Sequence, residues 1–348
     1  MIYNYFLAAL LSSLFFLMIS YIFPKFGIVD KPDGIRKIHK GEISLGGGVG
    51  LFLSSSVFLF IMFPNFSFGT HDKYSELYIV WCVSVIILAM GFLDDLKPLP
   101  ASFRLIIQIL SSWLVIILTD TYLRDFGDLF GIGNFYIGDL GIPMTIFMVV
   151  GVCNAFNMLD GIDGLVGLVA LSASTSVSVL AFLNNETGAL FLGSMVLSIF
   201  LIFNLGLLGR KRKIFLGDSG SMWVGFIVAW FLIVLSSDSD NSLLKPVNAL
   251  WLVSIPLIDA LSTFLTRLAK RKSIFTGDRS HIHHMMLDAG LPKWKVLSIL
   301  FLISIISSSA LIFFAINEIE ESFQFYGFLT LWLFYYLIIK YPLSKETD

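Results

Sequence analysis

Hydrophobic residues run along this chain in long blocks separated by short polar segments. Eleven apolar runs stand out, at 3–23, 45–63, 77–93, 103–119, 142–157, 164–183, 188–208, 220–236, 248–267, 296–316 and 323–340. None shows the strict alternation of a membrane β-barrel strand. A helix needs about 20 apolar residues to cross the hydrocarbon layer, and backbone that faces lipid must satisfy its own hydrogen bonds. The pattern therefore predicts an all-α, polytopic integral membrane protein with about 11 transmembrane helices. No soluble domain, internal repeat or low-complexity linker interrupts the runs, so residues 1–348 are expected to form a single transmembrane domain.

Composition agrees: 57% of residues are hydrophobic, 34 are Phe and only 14% are charged, which a soluble domain of this length does not tolerate. The run at 3–23 has no basic segment before it and no small-residue cleavage site after it, so it is expected to be retained as a helix. Cys82 and Cys153 lie in or at the end of apolar runs, which points to neither a disulfide framework nor a thiolate metal site.

Charge distribution sets the expected orientation. With the N-terminus outside and the C-terminus cytoplasmic, every Lys and Arg except Lys73, Arg124 and Lys245 falls on the cytoplasmic side. The cytoplasmic loops are then about 24–44, 94–102, 154–164, 209–219 and 267–295. The same assignment, made from Lys and Arg alone, gathers Asp94, Asp95, Asn157, Asp160, Asp163, Asp218 and four of the five histidines on that face. The outer connection 120–141 carries acids without a comparable cluster and is expected to form a small hairpin or helix.

Several polar motifs carry candidate chemistry. Asp94 and Asp95 follow a span directly, where adjacent carboxylates suit a divalent cation or a base with a raised pKa; a solvated loop start paired with Lys97 is the plainer reading. In "NAFNMLDGIDGL", Asn157 and Asp160 are helical neighbours, with Asn154 and Asp163 on the flanks. Amide and carboxylate oxygens are hard ligands of the kind Mg²⁺ prefers, although Asp-Gly is also turn chemistry. Asp218 in "FLGDSGS" is either a helix N-cap or a metal ligand beside a phosphate site. The loop 267–295 carries Arg267, Lys270, Arg271, Lys272, Arg279, His281, His283 and His284, a set suited to phosphate or anionic lipid; no Cys or further His is near to close a zinc site. Lys37 and His39 precede Gly46, Gly47 and Gly48, which allow close approach of a ligand or a helix. Asp259 sits inside a span and should face the bundle interior. Acids able to bind a cation, beside a collar able to bind anions, describe a phosphate site built around Mg²⁺.

The segments "GFLDDL", "NAFNMLDGIDGL", "FLGDSGS" and "HIHH", in this order over most of the chain, resemble the polyprenyl-phosphate N-acetylhexosamine-1-phosphate transferases, of the glycosyltransferase family 4 type. The resemblance implies that undecaprenyl phosphate attacks a UDP-N-acetylhexosamine, with GlcNAc expected, at the cytoplasmic face of a bacterial inner membrane. It implies Mg²⁺ as cofactor, with Mn²⁺ able to substitute, and as partners the UDP-sugar, undecaprenyl phosphate and membrane lipid, with no nucleic acid and with a homodimer compatible. Carried over, Asp94, Asp95, Asp160 and Asp163 are catalytic, with Asp94 the base. Asp218, Asn157 and Asp95 attend the metal. Asn154, Asn157, Lys37, His39, Arg267, Arg279, His281, His283 and His284 bind substrate. The lipid-diphospho-sugar formed would start O-antigen, enterobacterial-common-antigen-like or teichoic-type glycans.

One position departs from the family: Ser44 stands where a proline is common. The rival readings are a phospho-N-acetylmuramoyl-pentapeptide transferase, a transferase of another UDP-N-acetylhexosamine, and an ion-coupled transporter. The transporter should hold its acids near the bilayer midplane, whereas here they gather at one interface. A transferase of CDP-activated alcohols lacks its usual aspartate-glycine-alanine-arginine arrangement, since Ile162 and Leu165 follow the two glycines.

Overall fold

A computed structural model describes residues 2–32, 41–62, 73–185, 191–237, 242–271 and 280–340. The chain is a helical bundle. Each apolar run becomes helix: α1 (Ile2–Lys25), α2 (Gly47–Met62), α3 (Lys73–Leu96), α4 (Ala101–Thr119), α5 (Gly141–Leu159), α6 (Leu165–Leu183), α7 (Phe191–Asn204), α8 (Gly217–Ser236), α9 (Pro246–Leu252), α10 (Ser254–Ala269), α12 (Lys293–Ile316) and α13 (Glu321–Phe334), with a short α11 (Ile282–Asp288) before α12. Among the described residues, seven helices are long and apolar enough to cross a membrane alone, and α9 with α10 makes an eighth if the bent pair is one span. α2 and α7 contain shorter apolar helices.

The bend is where the structure differs most from the hydrophobic pattern. The run 248–267 reads as one helix, but α9 and α10 meet at 86° around Val253. Pro256 explains it: with no N–H it cannot donate to Leu252, four residues back, so the helical ladder opens there. α10 then buries a polar face of Asp259, Ser262, Thr263, Thr266 and Arg267.

α8 is the centre of the bundle. Of its most apolar stretch 83% is buried, against 28% for α1, α4 and α12, and it packs on α2, α3 and α5. The outer helices turn large apolar side chains outward, among them Leu14, Ile106, Ile117, Phe147, Ile306 and Phe313, as lipid-facing helices must.

At one end of the bundle, two short strands, β1 (Val29–Asp30) and β2 (Ile43–Ser44), pair antiparallel. The Ser44 carbonyl accepts from Phe215 N–H at 2.8 Å, tying the first loop to the segment before α8. The triglycine resolves as helix packing: a Cβ on Gly48 would lie 2.5 Å from Gly220 N. At the other end, 120–141 forms the expected small hairpin, with an isolated bridge between Asp125 and Tyr136 and a 3₁₀ turn at Gly138–Leu140. Both cysteines are free.

Candidate active site

The ends of α3, α5 and α10 and the starts of α4, α8 and α11 meet at the β1–β2 end of the bundle. Asp95, in the last turn of α3, accepts hydrogen bonds from Asp218 N–H at 2.7 Å and Ser219 N–H at 3.1 Å. It is therefore the side chain that satisfies the first amides of α8, a capping role the sequence offered to Asp218. Gly217 makes the approach feasible: its φ is +73°, and a Cβ there would lie 2.7 Å from Asp95 Oδ2. Asp218, spared from capping, accepts from Asn157 Nδ2 at 2.9 Å, and the same amide donates to Ser221 Oγ at 3.0 Å.

Asp94 is buried and fully engaged. Its Oδ1 accepts from Leu99 N–H at 2.6 Å and its Oδ2 pairs with Arg104 Nη1 at 2.9 Å. Asp218 also lies against Asp94, and the Arg104 cation paired with Asp94 acts on it too. Arg104 was counted in the sequence only as a topology charge. Its signal was its place in the first turn of α4, one short proline-flanked turn after the two aspartates.

α5 ends at Leu159, so Asp160 is a helix cap and not a helical neighbour of Asn157. Asp160 makes no side-chain hydrogen bond or ion pair among the described residues. The protein packed around it and, after that, the carboxylates of Asp218, Asp163 and Asp95 push its pKa well above the usual carboxylate range. Its own surface stays exposed, so desolvation is incomplete and the like charges are the cause to weigh. Asp163 pairs with Lys213 Nζ at 2.7 Å. Asn154 is not drawn into this group: its amide donates to Gln108 Oε1 at 2.7 Å and Val150 O at 2.8 Å. Gln108, buried in α4, is a partner the sequence reading missed.

The three histidines do three different things. His281 Nδ1 lies 2.8 Å from Asp259 Oδ2, so that Nε2 is the ring nitrogen not committed to Asp259. His283 is fully buried with neither ring nitrogen hydrogen-bonded, and its pKa falls to about 3 through burial and then the neighbouring His284. Its ring packs against the Asp160–Asp163 turn. A Cβ on Gly161 would collide with His283 Nε2, so glycine is what lets the two loops meet. His284 is half-buried, its ring centroid 4.2 Å from that of His283. Arg267 is buried at the end of α10. Lys37, His39 and Arg279 lie outside the described residues.

No three Asp, Glu, His or Cys side chains among the described residues converge into a complete metal shell. The donor set nevertheless fits a divalent cation that keeps water and substrate oxygens as ligands. Asp94 and Asp218 stand side by side, and among the described residues Asp160 has no ion-pair partner.

The model of the family described as "Glycosyl transferase family 4" matches residues 77–236, which include Asp94, Asp95, the Asn157–Asp163 turn and Asp218. A protein of Pasteurella multocida called undecaprenyl-phosphate alpha-N-acetylglucosaminyl 1-phosphate transferase is 34% identical over 334 residues, covering 95% of this chain and 90% of its own length. Proteins of the same name from Yersinia pestis, 34% identical over 76% of this chain and 71% of theirs, and Escherichia coli K12, 32% identical over 81% and 75%, are similar as well. With relatives 32–34% identical over 76–95% of its length and the acidic motifs inside the matched region, the chain belongs to glycosyl transferase family 4 and is an enzyme of its sugar-1-phosphate transferase kind.

Proposed function

We propose that the protein transfers N-acetylglucosamine 1-phosphate from UDP-N-acetylglucosamine to undecaprenyl phosphate, releasing UMP. The observation that carries this reading is the constellation of Asp94, Asp95, Asp160, Asp163 and Asp218 with Arg104 and Lys213 at one end of an apolar bundle. The names of the similar proteins supply the acceptor and the sugar. An oxygen of the lipid phosphate attacks the phosphorus that bears the sugar. The bond from that phosphorus to the UMP oxygen breaks, and UMP leaves with the electron pair.

Such a transfer asks the protein for positioning and charge neutralisation more than for covalent chemistry, so we favour direct displacement over an aspartyl intermediate. Asp218, with Asn157 beside it, would hold Mg²⁺ or Mn²⁺; when bound, the ion would supply positive charge for the two phosphates. Asp95 works from behind, fixing the backbone that carries Asp218. Arg104 and Lys213, each anchored on a carboxylate, offer cations to phosphate oxygens, with Arg267 at the end of α10 and His281 Nε2 and His284 on the facing loop. Asp94, engaged on both oxygens, is better suited to orient Arg104 than to take a proton. Asp160, without a side-chain partner among the described residues and with a raised pKa, is the better base for a lipid phosphate that arrives protonated.

Eleven spans with the N-terminus outside would set the acidic end in the cytoplasm of a bacterial inner membrane, where UDP-sugars are made, and the product would start a surface polysaccharide. The test is UMP release by purified protein in detergent, with and without undecaprenyl phosphate and Mg²⁺, and with UDP-N-acetylgalactosamine and UDP-MurNAc-pentapeptide as competitors. UMP that requires both lipid and metal is expected, with UDP-N-acetylglucosamine preferred. Turnover in excess chelator would contradict the metal, preference for another donor would contradict the sugar, and no release with any donor would contradict the reading.

A further inference from the structure

The histidine loop is held from a direction its own sequence does not suggest. After α13 the chain continues as a π-helical turn, Tyr335–Lys340, which packs on α10. Lys340 is wholly buried there. Its Nζ lies 3.5 Å from Asp259 Oδ1, donates to Thr263 Oγ1 at 2.8 Å and donates to the Ser280 carbonyl. Tyr335 OH reaches the same Asp259 oxygen at 3.3 Å. Asp259 in turn takes His281 Nδ1 at 2.8 Å and Ile282 N–H at 2.9 Å. Three consecutive loop residues, Ser280, His281 and Ile282, are thus gripped by one buried cluster from α10 and the C-terminal turn. One residue further on, His283 seats on Gly161, between Asp160 and Asp163.

We propose that the Tyr335–Lys340 turn is a positioning device for the reaction, with Lys340 and Asp259 acting through His281 and His283 to set the histidine loop against the Asp160–Asp163 turn. This rests on the transferase reading for its kinetics but not for its mechanics. A buried cation beside a buried carboxylate is an expensive way merely to end a helix, because each ion must be desolvated. It is a direct way to fix a loop, since Asp259 bonds both a side chain and a backbone amide of it. Holding Nδ1 fixes which histidine nitrogen is left for substrate.

The experiment pairs hydrogen exchange with kinetics on the full chain in detergent. In Lys340→Met, exchange is expected to rise both at 280–284 and at the 160–164 turn. The UMP-release kcat should fall by about tenfold to a hundredfold, with donor KM moved by less than about threefold, as misplacement without lost binding would give. Lys340→Arg should restore most of the rate. In a His281→Ala background, Lys340→Met should cost little more, because the two act in one chain. Tyr335→Phe, which removes a single hydroxyl, should show the same exchange pattern more weakly and serves if Lys340→Met does not fold. Exchange confined to the C-terminal turn, or full multiplication of the two kinetic effects, would overturn the proposal. Lack of turnover in the wild type would count against the transferase reading, and the exchange result would still decide the clamp.

Discussion

The two ends of the bundle both carry aspartates, and they treat them in opposite ways. In the 120–141 hairpin every acid finds its partner nearby in sequence. Asp120 pairs with Arg124 four residues on, Asp125 accepts from Gly127 N–H and Asn134, Asp128 from Ile132 and Gly133 N–H, and Asp139 from Tyr122 OH. At the other end only Asp94 is held locally, by Leu99 N–H and Arg104, 5 and 10 residues on, and the other partners come from far away. Asp95 is met by Asp218 and Ser219, Asp218 by Asn157 and Asp163 by Lys213, across 123, 124, 61 and 50 residues, and Asp160 by no side-chain partner among the described residues. Local partners are what turn chemistry needs. Distant partners and an unsatisfied charge cost chain entropy and electrostatic energy, and a fold tolerates them where a substrate or cation completes the set.

Substitutions can break or sharpen that contrast. The largest effect is expected for Asp218→Asn, which keeps the size and the capped backbone but removes the charge best set to hold a cation. Turnover should fall by at least about a hundredfold, the scale of losing one electrostatic contact to a transition state. A UMP-release rate near wild type would remove Asp218 from its assigned role. Gly161→Ala comes next: the added methyl must displace His283, and a displacement of about 1 Å at a site can cost about a hundredfold in rate. An unchanged rate would mean the loop contact is incidental. The smallest effect belongs to the hairpin. Asp125→Ala should leave turnover unchanged and cost no more than about 1–2 kcal/mol of stability from its two lost hydrogen bonds, readable as a small shift in thermal unfolding.

Much of this was legible in the chain because membrane helices announce themselves by length. All eleven apolar runs became helix, and the outer connection 120–141, expected to be a small hairpin or helix, is a hairpin with one 3₁₀ turn. The break at Val253 was not legible, although Pro256 was its cause, because a proline inside an apolar run does not change the hydropathy that marked the span. At the site, residue types were readable but their duties were not. Capping of α8 by Asp95 depends on a partner 123 residues away, and Arg104 looked like one more positive charge on the inner face. The histidines looked like one cluster because they are adjacent, yet their positions at the start of α11 send one to Asp259 and another beneath Gly161. Sequence spacing records neighbours along the chain, and these duties are set by neighbours across it.

The central claim is that the open, distantly partnered carboxylates perform the chemistry and the locally satisfied ones build the scaffold. Its most direct test is the UMP-release rate of Asp160→Asn measured beside that of Asp139→Asn, in protein shown by thermal unfolding to be folded. The account predicts that Asp160→Asn loses at least about a hundredfold, within the range of a general base, while Asp139→Asn stays near wild type. Equal rates for the two, whether both retained or both lost, would contradict it.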